Sequence, residues 1–445
     1  MRPAILPLIL LVLPVTACDD DDTQGQADTT VATDTTEADA GPDAEPDTGA
    51  PDTAGPDASR PPDETDLLTL LDGEEVEIVL GASRAFSFDV PANTVSITIS
   101  VVGDAGGSYA IDRWHGESGT DLVASGWLAR EGTGLCLSCR NRITVAQGAF
   151  AALAPNNPDA TIELGRHTVS LLGYVPAVVR QDVGAVCGDG TCAFFDQFQC
   201  PETDCASAPF TGTVLVWVHA KVAGASAELP ETGVLDLNLH FTGAQGLTAA
   251  SAPTDATFQA NLESMRTIYR QVGIELGDIT YRDVDTRFQV IESMDGPESD
   301  LQELFRQSDG NRNALNLYFV DELSAGALGG LGVILGVSGG IPGPTLLQGT
   351  HRSGVAIAIK PVQGLPAGVD TTMAHETGHF LGLFHTSEQD FGGFGPQIHD
   401  PLPDTPQNDE SYLMFNTGAG DKLSPWQGRV MRSNPWVRHP IATEN

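Results

Sequence analysis

The chain has 445 residues, of which 41% are hydrophobic, so it is long enough for two or three folded units joined by linkers. Its 60 acidic residues far outnumber its 22 lysines and arginines. The formal net charge of −38 argues against binding to the phosphate backbone of nucleic acids. At the start, Arg2 precedes an uncharged, apolar run from Ala4 to Ala17. That run is too short to cross a membrane as a helix and has the length typical of an export signal, so residues 1–17 are predicted to be a signal peptide.

The sequence around Cys18 resembles a bacterial lipobox, in which removal of the signal leaves a lipidated cysteine at the new N-terminus. This predicts a lipoprotein of the cell surface or outer membrane. An ordinary cleaved signal with an incidental cysteine is the alternative, and it predicts a secreted protein. Residues 18–66 follow as an acidic tether without aromatic residues. Because such a stretch cannot offset its chain entropy by burying apolar groups, we predict that it is disordered and that only the lipid on Cys18 contacts a membrane.

Residues 67–178 are predicted to form an all-β accessory domain. Segments such as EEVEIVLG, RAFSFDVP and VSITISVVG place β-branched and aromatic residues between turns rich in Gly, Pro and Asn. Regular short strands of this kind are typical of a β-sandwich. The two histidines of this region, His115 and His167, lack the spacing of metal ligands. We interpret them as surface histidines or as histidines with satisfied hydrogen bonds.

Six cysteines remain besides Cys18, and an even number in an exported chain indicates disulfide bonds. Cys136 and Cys139 form a CxxC pair that a zinc knuckle would also use, although two thiols make only half of such a site. The other four lie in CGDGTCAFFDQFQCPETDC, so residues 179–209 are predicted to be a short disulfide-rich linker whose pairing stays open. Calcium binding by three linker aspartates is an alternative to solvated turn carboxylates; these are Asp189, Asp196 and Asp204.

From residue 210 to 445 the pattern changes to mixed α/β. Strands are predicted in TVLVWVHAKV, ALNLYFVDEL and GVAIAIK. The segment PTDATFQANLESMRTIYRQVGI has apolar residues at helical spacing, and Thr254 or Asp255 is suited to cap its start. Residues 325–354 are rich in Gly and Pro, and loops of that length are uncommon unless they are functional. They predict the rim of a cleft.

The segment HETGHFLGLFH, residues 375–385, contains three of the ten histidines in the chain. On a helix, His375 and His379 lie on one face, where they can bind one metal ion together. Gly382 permits a sharp turn that can bring His385 back to the same ion. Three neutral ligands and one open position are typical of catalytic zinc, with Glu376 as general base for peptide-bond hydrolysis. The alternative is a core helix whose histidines satisfy backbone groups.

HExxHxxGxxH is the zinc signature of the metzincin metallopeptidases. HETGHFLGLFHTSE resembles the pappalysin and ulilysin (cytophagalysin) branch, whose members commonly continue with His-Thr and later carry Asp-Thr-Pro, as this chain does at Thr386 and at 404–406. The resemblance implies a metzincin-like catalytic domain over residues 210–445, with one catalytic zinc ion and protein or peptide substrates. It also implies that Met414 lies in a tight turn beneath the zinc ligands.

One position departs from this branch. Many members have a tyrosine two residues after the methionine, where this chain has Asn416, and Tyr412 is not its equivalent. Members can also be latent because an upstream cysteine or acidic residue occupies the open zinc position. Cys136 or Cys139 is suited to that role only with an unpaired thiolate, and disulfide bonding is the favoured interpretation.

Two further interpretations stay open. His399 and Asp400 are interpreted as residues of a solvated loop, with calcium binding or shaping of the cleft as alternatives. The alternative function is that of a surface-anchored binding or adhesion lipoprotein whose metzincin-like domain is inactive or latent. The oligomeric state and the cleavage preference are not encoded in any of these patterns.

Overall fold

The computed structural model describes residues 64–131, 134–177, 179–180, 192–193, 206–224, 228–294, 296–324, 334–360, 369–389 and 397–441. The predicted signal peptide, Cys18 and nearly all of the tether lie outside these residues, as do the side chains of the four linker cysteines and the three linker aspartates. Within the described part of the chain, no helix is both long enough and apolar enough to cross a membrane.

An antiparallel sheet of eleven strands makes up the N-terminal unit in the described residues. In chain order the elements of this part of the chain are β1 (Thr65–Val79), β2 (Ala82–Ser83), β3 (Phe86–Val90), β4 (Thr94–Val102), β5 (Ser108–His115), β6 (Asp121–Val123), α1 (Trp127–Glu131), β7 (Ala146–Gln147), β8 (Ala149–Ala154), β9 (Gly165–Val175), β10 (Val179–Arg180), β11 (Cys192–Ala193), β12 (Ala208–Pro209) and β13 (Gly212–Ala223). Strands β10 and β11 pair with each other and lie outside the large sheet. The main strand order is β6-β5-β9-β2-β1-β13-β4-β8, with β3 and β12 on β9 and β7 on β5.

Both halves of this sheet contribute to a single core. Ile97 and Ile99 of β4 and Val169 and Leu171 of β9 are fully buried in the same apolar cluster. Because side chains on a strand alternate between faces, one set of alternating residues packs inward while the other faces away. An all-β unit is therefore present where the alternating sequence pattern predicts one. β1 begins at Thr65, slightly before the predicted end of the tether.

The domain boundary predicted at residue 210 lies before β13, although β13 belongs to the N-terminal sheet. We predict TVLVWVHAKV as the first strand of the C-terminal domain, but β13 lies between β1 and β4 of the N-terminal sheet, with Val218 opposite Leu71 on one side and Ile99 on the other. The prediction of a strand is confirmed and its assignment to the C-terminal domain is wrong. An apolar run indicates a strand locally, whereas its partners lie more than a hundred residues away in the sequence.

The C-terminal unit is α/β. Its elements are β14 (Gly233–Phe241), α2 (Ala256–Arg270), β15 (Ile274–Asp283), β16 (Val290–Ile291), α3 (Asp300–Arg306), β17 (Leu315–Val320), β18 (Glu322–Leu323), β19 (Gly336–Ser338), β20 (Val355–Ala358), α4 (Val369–Phe380), β21 (Ser387–Gln389), β22 (Gln397–His399), α5 (Pro425–Ser433) and β23 (Val437–Arg438). The main sheet has the order β15-β14-β17-β20-β19, parallel except for the edge strand β19, and β23 adds to β14.

Two helices pack on this sheet and on each other. Helix α2 starts where the sequence predicts, because the Asp255 side chain accepts a hydrogen bond from the Phe258 amide. Helix α4 lies beside α2, and the Tyr269 hydroxyl donates to the Ala374 carbonyl over 2.9 Å. Met373 of α4 is fully buried in the core that also contains Leu317 of β17 and Ile357 of β20. These contacts fix α4, which carries the histidine segment, against the sheet.

Lys221 of β13 joins the two units. Its side chain is buried, and its ammonium group donates to the carbonyls of Arg432, Asn434 and Val437 over 2.7, 2.8 and 2.7 Å. A buried charge is stable only with such a set of partners, and these three acceptors come from the end of α5 and the segment after it. The Lys221 ammonium group therefore helps to tie the N-terminal sheet to the C-terminal part of the described chain.

We expect Lys221→Met to destabilise the protein strongly, by about 3 kcal/mol or more, because three buried carbonyls lose a charged donor. Lys360→Met is the matched control, since Lys360 is half exposed and pairs with Glu322 at the surface. Urea unfolding followed by tryptophan fluorescence measures both variants. Equal midpoints for the two variants would show that Lys221 does not hold the units together.

Candidate metal centre

The three histidines of the segment 375–385 lie at the end of α4 and just beyond it. His375 and His379 are one helical turn apart on α4, which ends at Phe380. Gly382 has φ +111°, a conformation that side-chain-bearing residues rarely adopt, and it reverses the chain direction. His385 follows this turn. The structure thus places all three histidines together, and a glycine lies where the sequence requires the turn.

The three Nε2 atoms converge. They lie 3.0 Å apart between His375 and His379, 3.1 Å between His379 and His385, and 3.2 Å between His375 and His385. All three side chains are buried, with at most 4% of the residue exposed. Among the described residues, these histidines form the one cluster with suitable donor atoms close enough for a shared metal ion.

Each ring is oriented by an acceptor at its other nitrogen. Nδ1 of His375 lies 2.7 Å from the Leu413 carbonyl, Nδ1 of His379 lies 2.6 Å from the Leu383 carbonyl, and Nδ1 of His385 lies 2.5 Å from a Glu388 carboxylate oxygen. Since these acceptors require a proton on Nδ1, the neutral rings present lone pairs on Nε2. Three lone pairs then face one point.

Burial keeps two of these rings neutral. It lowers the pKa of His375 to about 3, with a contribution from the neighbouring His385. It also lowers the pKa of His379 well below its usual range, and the other two imidazoles act in the same direction. Neutral imidazole is the form that binds a metal ion, so these rings are ready to bind without first losing a proton.

Glu376, which directly follows His375 in the chain, is buried with one oxygen unsatisfied. Its Oε2 has no hydrogen-bond partner among the described residues, although the residue is only 2% exposed. Burial raises the pKa of its carboxyl to about 8, and a hydrogen bond from the backbone of Ser338, on the edge strand β19, opposes that shift. A buried carboxyl with a free oxygen is unusual unless a water, an ion or a substrate completes it.

Met414 packs against helix α4 at Gly378. A side chain on Gly378 would meet the sulfur of Met414 at 2.8 Å, so only glycine lets the methionine approach this closely. The turn that carries Met414 also orients the histidines, because the Leu413 carbonyl is the acceptor for His375 and the Met414 carbonyl accepts a bond from the Thr386 amide over 2.8 Å. The turn that carries Met414 thus packs against α4 at Gly378 and makes backbone contacts with His375 and Thr386.

Glu388 is a site residue that the sequence analysis does not identify. It lies on β21, the first strand of a small hairpin with β22, and its carboxylate accepts from His385. Burial favours the neutral carboxyl, but attraction to His385, their hydrogen bond and the charge of Arg142 lower its pKa overall. The sequence feature that could have indicated this contact is an acidic residue three positions after the third histidine, because ligating histidines commonly donate to carboxylates.

The other predicted residues lie around this centre in different roles. Tyr412 donates its hydroxyl to the Asp404 carbonyl over 3.3 Å, and Asn416 is partly buried after the Met414 turn. His399 contacts the Ser387 hydroxyl over 2.7 Å, and Asp400 is buried rather than solvated, so the prediction of a solvated loop is wrong for Asp400. The adjacent His399 carbonyl accepts a hydrogen bond from Arg142 of the N-terminal unit, so the loop contacts that unit.

The remaining candidates outside α4 are structural. Cys136 and Cys139 form a disulfide bond, which leaves no thiolate for a zinc knuckle or for a plug of the metal position. His167 is fully buried between two partners: its Nδ1 accepts from the Trp114 indole over 3.0 Å, and its Nε2 donates to the Glu163 carbonyl over 2.8 Å. It is a histidine with satisfied hydrogen bonds, as predicted.

Part of the predicted glycine-rich rim, residues 325–333, lies outside the described residues.

The donor set suits zinc. Three convergent imidazole nitrogens with fixed outer hydrogen bonds are the ligands that zinc takes in open sites. The unsatisfied oxygen of Glu376 lies next to them in the chain and is placed to interact with a water or a substrate. The three histidines present therefore fit a single metal ion.

Comparison with known proteins gives limited similarity. No family profile matches the chain. Over 109 residues it is 31% identical to extracellular metalloprotease 1 of Coccidioides posadasii, which covers 24% of this chain and 37% of that protein. Over 205 residues it is 26% identical to an extracellular metalloprotease of Pyricularia oryzae, which covers 43% of this chain and 68% of that protein. The chain thus spans little more than a third of the first relative and about two thirds of the second.

Solved structures resemble the protein only weakly. Metalloproteinase-II from Bacteroides fragilis has a TM-score of 0.28 and 13% identity, over 48% of this chain and 62% of that one. Archaemetzincin from Methanopyrus kandleri has a TM-score of 0.26 and 12% identity, over 46% of this chain and 98% of that one. The chain is thus similar over part of its length to two proteins named extracellular metalloproteases, and it contains a cluster of three histidines that can hold a metal ion.

Proposed function

We propose that the protein is a zinc-dependent endopeptidase of the metzincin type, on a chain resembling the pappalysin and ulilysin branch. The observation that carries this proposal is the convergence of three imidazole Nε2 atoms, together with the buried carboxyl of Glu376, the residue after His375, which has an unsatisfied oxygen. His375, His379 and His385 hold the zinc ion. Bound there, zinc supplies Lewis acidity that polarises the peptide carbonyl and lowers the pKa of a water molecule.

Glu376 moves the proton in this proposal. Its free Oε2 accepts a proton from the attacking water as the new C–O bond forms at the peptide carbonyl carbon. The same oxygen then donates that proton to the amide nitrogen as the C–N bond breaks, so the carboxylate is regenerated. The Ser338 amide holds the carboxyl while this happens. No covalent intermediate with the protein is required.

The edge strand β19 is suited to bind the substrate backbone. It is the last strand of the sheet order, and Ser338 at its end contacts Glu376. An extended peptide that pairs with a sheet edge gains main-chain hydrogen bonds independent of its side chains. A protein or peptide substrate would then pass beside the base. The acidity of the chain favours basic or neutral substrates through electrostatic steering.

Glu376→Gln is expected to retain zinc and to lose peptide cleavage by a factor of about 100 to 10,000, because the amide cannot take the proton of water. Glu263→Gln, an exposed change on α2, is the matched control and should cleave like the parent. Zinc content by atomic emission and cleavage of a peptide library measure the two properties. Cleavage at the parental rate by Glu376→Gln would falsify the assigned role.

Removal of the metal is expected to abolish cleavage without unfolding the protein, since α4 is held by Tyr269 and the sheet rather than by the ion alone. A chelator followed by dialysis should leave inactive protein, and one equivalent of Zn²⁺ should restore cleavage while Ca²⁺ should not. Stoichiometric zinc with no cleavage of any library peptide would instead favour the adhesion lipoprotein.

We further propose that the chain is exported and anchored by a lipid on Cys18, as a lipoprotein of the cell surface or outer membrane. The N-terminal sequence supports this, and both sequence relatives are named extracellular proteins. The acidic tether, residues 18–66, would keep the peptidase away from the membrane.

In a bacterial host fed labelled palmitate, the parent protein and the control Thr23→Ser should be labelled, whereas Cys18→Ser should not. Unlabelled parent protein released into the medium would show that the signal is an ordinary cleaved one and that the protein is secreted.

A further inference from the structure

Leu153 of the N-terminal unit packs inside the C-terminal unit. It lies on β8, the last strand in the order of the N-terminal sheet, and it is fully buried. Its side chain belongs to the apolar core that also contains residues of α2, α4 and α5. Among the described residues before 224, it is the one member of that core. A side chain from the other unit therefore completes the core around the histidine helix.

This side chain lies directly against the turn between the second and third histidines. A side chain on Gly382 would meet Leu153 Cδ2 at 3.1 Å. The next nearest groups are Val430 Cγ1 at 3.5 Å and Pro342 Cβ at 4.0 Å. Three apolar groups thus enclose the turn, and the nearest comes from the N-terminal unit. Because protein interiors are close-packed, the position of such a turn depends on the groups around it.

The backbone of Leu153 is held within the N-terminal unit. Leu153 lies opposite Thr98 in the pairing of β8 with β4, and its carbonyl accepts a bond from the Asn141 side chain over 2.9 Å. Asn141 is fixed in turn, because its amide donates to the Leu122 carbonyl over 2.9 Å and its Oδ1 accepts from the Asn156 amide over 3.2 Å. Leu153 therefore reaches the turn from a rigid support.

The segment after the turn contacts the same unit. The Arg142 guanidinium lies over the ring of Phe384, 5.7 Å from the ring centre, and donates to the His399 carbonyl over 2.5 Å. Asn156 lines a small cavity together with Phe384. His385 directly follows Phe384 in the chain. The N-terminal unit thus contacts both the turn and the residue that leads to the third histidine.

The third histidine depends on this turn in a way that the first two do not. His375 and His379 are placed by α4 itself, whereas His385 reaches the shared point only through the chain reversal at Gly382, where φ is +111°. Glycine permits that conformation but does not enforce it, because it has the most backbone freedom of all residues. Packing against the turn therefore adds to the backbone hydrogen bonds that hold it.

We propose that Leu153 is a positioning residue of the metal centre, which acts through the turn at Gly382 to hold His385 beside the other two imidazoles. The inference rests on the proposed zinc site, and it adds that the N-terminal unit is part of that site. Without the Leu153 side chain, the turn faces a cavity into which it can relax, and Nε2 of His385 moves with it. The N-terminal unit thus contributes to zinc binding by packing, without supplying a ligand.

Zinc dissociation constants test this inference, measured on the full chain by competition with a chromophoric chelator. Leu153→Ala should bind zinc at least about threefold more weakly than the parent, because residues in contact are energetically coupled. Leu171→Ala is the matched control, since it removes the same atoms from a fully buried leucine in the separate core of the N-terminal unit. It should lower the melting temperature and leave zinc affinity unchanged.

The visible spectrum of the Co²⁺-substituted protein gives a second readout, because it reports the geometry of the metal ligands. Leu153→Ala should shift the d–d bands of the parent, and Leu171→Ala should not. Parental zinc affinity in Leu153→Ala, or an equal loss in both variants, would overturn the inference. Weaker affinity with unshifted bands would also overturn it, since His385 would then have kept its place.

Two further arms keep the test decisive. If Leu153→Ala does not fold, Leu153→Val and Leu171→Val replace the two variants, because they remove less volume, and the same directions are expected. A parent protein that binds zinc but cleaves no peptide refutes the proposed function and leaves this inference standing. A parent protein that binds no zinc overturns both.

Discussion

The centre depends on three hydrogen bonds made on the far side of the imidazole rings. The Nδ1 atoms of His375, His379 and His385 face the Leu413 carbonyl, the Leu383 carbonyl and the Glu388 carboxylate, and this leaves the three Nε2 atoms facing each other. These acceptors come from three different parts of the fold: the turn that carries Met414, the chain just after Gly382, and the hairpin of β21 and β22. Ligand geometry is therefore a result of tertiary structure, and α4 alone would position only two of the rings.

The parts of this centre that were predictable are local in sequence. His375 and His379 follow from helical spacing, and Gly382 follows from the need for a positive φ, which the structure contains. No periodic pattern predicts the contact between Glu388 and His385, because Glu388 lies on an extended strand after the turn. Strand β13 was recognisable as a strand, but its place between β1 and β4 depends on residues far away in the chain. Pairings across such distances are fixed by the global packing, which a single sequence does not display.

Buried hydrogen bonds join the two units in addition to the chain segment that links them. Ser96 of β4 donates its hydroxyl to the Ser433 carbonyl over 2.6 Å, Ser100 accepts from the Thr345 amide over 3.0 Å, and the Arg352 guanidinium donates to the Gln147 carbonyl over 2.9 Å. Leu153 of β8 belongs to the core of the C-terminal unit and approaches Gly382. Polar groups buried between two units must find their partners across the boundary, so the relative position of the units is specified rather than free.

The two ends of the described chain lie side by side. The amide of Glu64, just before β1, donates to the carbonyl of His439, just after β23, over 2.6 Å. The described chain therefore begins and ends at the same pole of the folded body. A domain fused directly at Glu64 would be held next to one fused directly at Ile441. Two such attachments would compete for the same space, whereas insertions in distant surface turns would not.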